Sequence, residues 1–207
     1  VRGPADKLSA YQSAAGWNYF TNIQAFAAGQ CGDNLYWKIN YATKTLVITG
    51  TGNMYNYGAT TNQAPWRSHT SYWTKVSFPE GITSIGQYAF YECTNLAQSL
   101  TFTANLVSID TRAFSGCTGI TGLTFSSANS LTTIGAYSFY QCNNSSFKTL
   151  SLPSALTTIG AAAFGVCTSL TTVTIPENVT SMNCSGGYYT FYACPNITTV
   201  NWNAIAC

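Results

Sequence analysis

The sequence predicts an α/β-type repeat solenoid, with one short strand per coil stacked into a parallel β-sheet, and three periodic features predict it. A phenylalanine recurs as Phe90, Phe114, Phe139, Phe164 and Phe191, at intervals of 24, 25, 25 and 27 residues, a period typical of stacked supersecondary units. Five residues before each of the first four lies a second apolar row of Ile85, Ile109, Ile134 and Ile159, continued by Met182, nine before Phe191, in the last unit. Third come alternating pairs: Val76/Phe78, Leu100/Phe102, Leu123/Phe125, Leu150/Leu152, Val173/Ile175 and Val200/Trp202. Alternation over so short a span marks a half-buried strand. Six strands about 4.8 Å apart would make a sheet roughly 24 Å wide. Pro79, Pro153 and Pro176 each follow a pair, where the missing N–H would stop the pairing from running on.

The other repeated positions can be given jobs in the same way. Gly86, Asp110, Gly135, Gly160 and Asn183 follow the second row, and these residue types best tolerate positive φ, so one left-handed residue per coil is expected there. If Asp110 does not adopt it, Asp110 becomes a candidate functional carboxylate. Cys93, Cys117, Cys142, Cys167 and Cys194 each lie three residues after the phenylalanine. Equivalent positions about 5 Å apart would permit a disulfide by distance, but parallel side chains favour a ladder of buried reduced thiols. An even cysteine count in a secreted chain leaves disulfides open, and Cys184 with Cys194 is the pair to test. Cys31, Cys184 and Cys207 lie off the ladder. In "LTTIGAAAFGVC", residues 156–167, Leu156, Ile159, Phe164 and Cys167 should point inward, Gly160 should turn the chain, and Ala161 to Ala163 should make a short helical turn.

Composition narrows the function classes. Only 7% of residues are charged and the net charge is +2 without any run, so there is no basic stripe for nucleic acid. No apolar run is long enough to span a bilayer and no signal peptide opens the chain; it reads as soluble as given, with any export signal or anchor removed or outside it. There is no C-x-x-C pair, and His69 is the only histidine, so neither metal nor cofactor is expected. Six acids in all, with Glu92 and Asp110 at unlike positions of adjacent repeats, offer no paired-carboxylate site, and no nucleophile or phosphate-loop motif occurs. Catalysis is not expected.

With these positions in hand, "ITSIGQYAFYECTNL" and "LTTIGAAAFGVCTSLTTVTIP" resemble the BspA-like leucine-rich repeats of bacterial and protist surface proteins, over residues 76–207. Departures lie at "NNSSFKTL", which lengthens a linker, and at Met182, Asn183 and the "CSGGYY" insertion. The resemblance implies a right-handed leucine-rich-repeat array with its parallel sheet on the concave face, acting as a non-enzymatic cell-surface adhesion module whose partners are host matrix proteins or glycans. It carries no functional residue across. Residues 28–75, with "CGDNLYWKIN" and "TLVITGTGNMYNY", are similar to the β-hairpin segment preceding such arrays and would cap the stack; Leu35, Trp37, Ile39 and then Leu46, Ile48 alternate as two strands joined across "YATK". Residues 1–27 read as a short amphipathic helix through Leu8, Tyr11 and Ala15, similar to the segment closing a preceding module, so a larger multidomain protein is expected on both sides.

A concave face would be lined by the residues between and beside the inward pairs: Lys75, Ser77, Ser99, Thr101, Thr124, Thr149, Ser151, Thr172, Thr174, Thr199 and Asn201. This hydroxyl ladder suits a neutral, polar partner such as a glycan or extended peptide, although Ser and Thr also occupy solvent-facing strand positions merely because they fit. Aromatic residues are the second candidates. Tyr55, Tyr57, Trp66, Tyr72 and Trp73 could stack on sugars or form the cap's own core, while Tyr188 and Tyr189, in the insertion, should be exposed. Three readings follow: an adhesion module, a structural spacer in a longer protein, or a glycan-capture accessory. The Asn-x-Ser/Thr sites at Asn143, Asn144, Asn178 and Asn196 matter only if the source glycosylates exported proteins.

Overall fold

The computed structural model describes residues 2–4, 24–126, 129–183 and 186–203. The expected helix through Leu8, Tyr11 and Ala15 and the proposed Cys184 pairing lie outside them. A short pair, β1 (Arg2–Pro4) and β2 (Gln24–Phe26), runs parallel. Then β3 (Ala28–Gly32), β4 (Asn34–Asn40) and β5 (Thr45–Asn53) form an antiparallel meander. In the turn after β4, the side-chain oxygen of Asn40 accepts from the N–H groups of Ala42 and Thr43, and Lys44 takes φ 51°. Leu35, Trp37 and Ile39 alternate inward along β4, facing Leu46 and Ile48 of β5, as their period of two requires.

Beyond a 3-10 helix at Pro65–Tyr72, the chain winds into a solenoid. Its strands, in chain order, are β6 (Lys75–Ser77), β7 (Ile82–Ile85), β8 (Ser99–Phe102), β9 (Ser108–Ile109), β10 (Gly122–Phe125), β11 (Thr133–Ile134), β12 (Thr149–Ser151), β13 (Thr158–Ile159), β14 (Thr172–Ile175), β15 (Ser181–Met182) and β16 (Thr199–Trp202). Each coil thus carries two parallel strands rather than the expected one. The second row runs unbroken as β5-β7-β9-β11-β13-β15, with Ser84, Ser108, Thr133, Thr158 and Ser181 in register. These strands are as short as two residues, too short for alternation to be visible in sequence. The first row is the alternating pairs, but it is not one sheet: β6 pairs with β5, β8 with β10, and β12 with β14, which pairs in turn with β16. Strand β5 joins both rows, setting Leu46 beside Val76 and Gly52 beside Ile82.

The expected α component is also corrected. Residues 161–163 lie in an irregular turn, and none of Gly86, Asp110, Gly135, Gly160 or Asn183 has positive φ. The left-handed residues come two positions later, at Tyr88, Arg112, Tyr137 and Ala162 (φ 48° to 56°), and again two after the phenylalanine, at Glu92, Gly116, Gln141, Val166 and Ala193. Two reversals per coil give a tight corner with no room for a helix. Where glycine follows the isoleucine, at Gly86, Gly135 and Gly160, it does so for another reason. A Cβ on Gly135 would lie 2.7 Å from the main-chain nitrogen of Thr111, and one on Gly160 would run into that of Ala136. Asp110 is half-buried and makes no ion pair among the described residues.

The core is a column of rings. Phe90, Phe114, Phe139, Phe164 and Phe191 stack with successive centroids 4.9, 5.2, 5.3 and 5.7 Å apart and planes within 15°, because the strand spacing of about 4.8 Å is close to an aromatic stacking distance. Beside it runs the thiol ladder. Cys117, Cys142, Cys167 and Cys194 each donate S–H to the carbonyl of the phenylalanine one coil earlier, at 2.9, 3.3, 3.3 and 3.0 Å. All five ladder cysteines and Cys31 are free. Burial pushes Cys31 and Cys93 up to about 12 and Cys117 and Cys142 well above the ordinary thiol value of 9.0.

An unfolded chain releases these protons near pH 9, whereas the folded one keeps them. The thiols therefore favour the fold fully below pH 9, and that contribution is lost as pH climbs from 9 toward 12. The urea midpoint should fall across that window. Thiol reagents at pH 8 should label Cys93, Cys117, Cys142 and Cys167, the buried members of the ladder, only after denaturant is added.

One buried polar group in the repeat is left unsatisfied. Ser138 stands where three coils have Ala89, Ala113 and Ala163 and the last has Thr190; it is fully buried, and its hydroxyl has no hydrogen-bond partner, whereas that of Thr190 donates to the Gly160 carbonyl. Ser138→Ala should raise stability by about 1–3 kcal/mol, read as a higher urea midpoint.

Candidate functional site

The first-row strands place their intervening residues on one outer face because Val76, Leu100, Leu150 and Val173, between them, are committed to the core. Lys75, Ser77, Thr101, Thr124, Ser151 and Asn201 are exposed there, and Thr174 is half-buried. Register sets Thr124 beside Thr101, and Ser151 beside Thr174, which in turn lies beside Asn201. Asn201 Nδ2 donates to the Thr174 hydroxyl at 3.2 Å. Lys75 and Ser77 are set instead beside Thr45 and Val47 of β5.

Clefts open along this face, one of about 340 Å³ beside the paired strands β12 and β14 and two where the first row is interrupted. One of about 310 Å³ lies between β6 and β8, bordered by Ser77, Ser99 and Thr101. A larger one, about 370 Å³, lies between β10 and β12, bordered by Thr124, Ser126, Ser151 and Ser154. Extra residues follow β10 and precede β12. Six positions separate Phe125 from Leu131, against four from Phe102 to Leu106, and eight separate Cys142 from Leu150, against six from Cys117 to Leu123. Asn129 fixes the first of these loops: Nδ2 donates to the Thr103 carbonyl at 3.0 Å, and Oδ1 accepts from the Leu131 N–H at 2.8 Å. The lengthened linker is visible in the sequence; that it separates neighbouring strands is not.

The aromatic candidates divide. Trp66 and Trp73 are fully buried, which removes them as ligand contacts. Trp66 stacks on Phe90 with centroids 5.4 Å apart and donates Nε1–H to the Ala89 carbonyl, while Trp73 Nε1–H donates to the Trp66 carbonyl. They begin the ring column. Tyr189 is 66% exposed and Tyr188 39% exposed. Tyr188 packs against Tyr137 and Tyr192 at 5.9 and 4.9 Å, and Arg112 lies 4.4 Å over Tyr137. These rings belong to the turns, away from the strand-face residues. Sequence reasoning does not single out Tyr137, Tyr140 and Tyr192, although each falls two before or one after the phenylalanine. A Cβ on Gly165 would lie 2.9 Å from Tyr140 Cδ2, so Tyr140 covers the small residues of its neighbouring coil.

Among the described residues, no group of three or more His, Cys, Asp or Glu could hold a metal ion, and no helix is long and apolar enough to cross a membrane.

Two rows of parallel strands, one pair per repeated unit and closed over a ring column, define a β-solenoid repeat protein. Residues 68–198 match the BspA type leucine rich repeat region in six copies, and the chain belongs to that family. A leucine-rich repeat protein of T. pallidum is similar over 84% of this chain and 82% of its own, at 24% identity and a TM-score of 0.56. One from Bacteroides ovatus is similar over 82% of this chain at 18% identity and a TM-score of 0.50, and this chain spans about half (52%) of its length. At these identities the likeness is one of fold. No curated protein matches the chain.

Proposed function

We propose that this chain is a non-enzymatic interaction module of an exported, cell-surface protein, and that it adheres to a host protein or glycan through the Ser/Thr-rich face of its first strand row. The observation that carries this reading is the outward hydroxyls in two in-register pairs, Thr101 with Thr124 and Ser151 with Thr174, with a cleft opening between the pairs. Such a surface binds through many weak hydrogen bonds to a neutral partner. Family membership supports a repeat used for interaction rather than chemistry. The meander of β3 to β5 serves as the cap, since it continues the second row at the end where a solenoid would otherwise leave a bare edge.

The test is a screen of the purified chain against immobilised matrix proteins and arrayed glycans, beside the Thr124→Lys, Thr174→Lys double variant. A saturable hit should be lost, or weakened by about tenfold or more, in the variant. Silence on every surface would favour the spacer reading instead. Sugar binding that survives the double variant but disappears in Tyr189→Ala would favour the glycan-capture reading.

A further inference from the structure

The break between β10 and β12 has more structure than a gap between loops. Among the described residues no main-chain hydrogen bond joins the two strands, although β8 holds β10 and β14 holds β12. Alternate residues of a parallel strand turn their N–H and C=O to opposite sides. Ser126 N–H is committed toward Phe102, and Leu152 N–H toward Thr174. Leu123 and Phe125 on one strand, and Thr149 and Ser151 on the other, therefore turn their main-chain groups into the break. Strands β9, β11 and β13 remain paired behind it, so the coils separate on this face alone.

The chemistry of the cleft selects among occupants. Its lining includes no charged residue, so an ion would find no countercharge. An inserted peptide strand would need about 9.6 Å between β10 and β12, two strand spacings, yet their Cα atoms come within 8 Å. A saccharide lying in the mouth of the cleft, rather than between the strands, needs neither a countercharge nor that spacing. Its hydroxyls donate and accept, as do Thr124, Ser126, Ser151 and Ser154 and the unpaired main chain. The apolar face of a sugar ring can lie on Phe125, which is half-buried and held by stacking on Phe102 at 5.4 Å. A volume of about 370 Å³ is at the small end of the range for small-molecule sites.

The geometry points to the cleft between β10 and β12 as a binding subsite for a neutral saccharide unit. This rests on the strand face being the recognition surface, and it narrows the partner to one chemical class at one place. The experiment titrates the full chain with maltotetraose, cellotetraose, β-1,4-mannotetraose and N-acetyllactosamine, followed by saturation-transfer NMR and calorimetry. Ser151→Tyr fills the cleft from an exposed position, and Thr118→Tyr makes the same change at an exposed turn position off the strand face; matching melting curves confirm that both fold. At least one sugar should bind, Ser151→Tyr should weaken it by about tenfold or more, and Thr118→Tyr should leave it unchanged. No binding at about 10 mM sugar, or binding that Ser151→Tyr leaves intact, overturns the subsite. The wider reading is judged separately: matrix-protein binding lost in the Thr124→Lys, Thr174→Lys variant would keep the strand face as the interaction surface even if every sugar failed.

Discussion

Replacing Phe164 by alanine is expected to cost about 3–5 kcal/mol. The side chain is fully buried and lies between Phe139 at 5.3 Å and Phe191 at 5.7 Å, so its removal leaves a cavity and ends two stacking contacts at once. Backbone relaxation cannot close the hole, because Phe164 N–H donates to the Thr190 carbonyl and its own carbonyl accepts from the Cys194 thiol. In a solenoid each coil leans only on its neighbours, so the loss should fall first on the last coils. Calorimetry should show a transition lowered on the order of 10 °C, and hydrogen exchange should show residues 172–203 opening ahead of the rest. A change of less than about 1 kcal/mol would mean that the ring column is not what holds the coils in register.

Gly160→Ala should be nearly as damaging, and it separates two explanations of the repeated glycine. A single methyl there meets the main-chain nitrogen of Ala136 and, at 2.6 Å, the Gly135 carbonyl carbon. Overpacking against rigid backbone costs about 1–3 kcal/mol, sometimes more. Were the need one for positive φ, Gly160→Asn would be mild, since Asn enters that region readily. Because the need is for space, Asn should be at least as harmful as Ala. Urea denaturation of both variants decides between the two accounts, with Gly122→Ala as a control. There the added Cβ would lie 3.3 Å from the Ser99 hydroxyl, a side chain that can turn aside.

Much of the framework is legible in the sequence because its period is long and its residues are unambiguous. The ring column, the thiol ladder and the first-row strands all repeat identifiable side chains at fixed offsets. What is not legible has a physical cause in each case. The second strand row hides in two-residue segments such as Thr158–Ile159, where no alternation can show. Propensity places the left-handed residues on the glycines, yet they fall on Tyr88, Arg112 and Tyr137, which local propensity would not choose; the demand of the stack overrides it. Glycine marks close approach of backbone instead. Trp66 and Trp73 could be read either as exposed stackers or as core, and only their position at the head of the ring column decides for the core. For the candidate site, alternation predicts which residues face outward, but the opening between Thr124 and Ser151 depends on how the longer loops after β10 and before β12 hold the two strands apart.

The most direct test of the central claim is a hydrogen–deuterium exchange footprint of the chain with and without the partner found by the binding screen. The account predicts slowed exchange concentrated in Ser99–Phe102, Gly122–Phe125, Thr149–Ser151 and Thr172–Ile175, the strands of the hydroxyl face. Slowing confined to the turn side around residues 186–192, with these four strands unchanged, would contradict it.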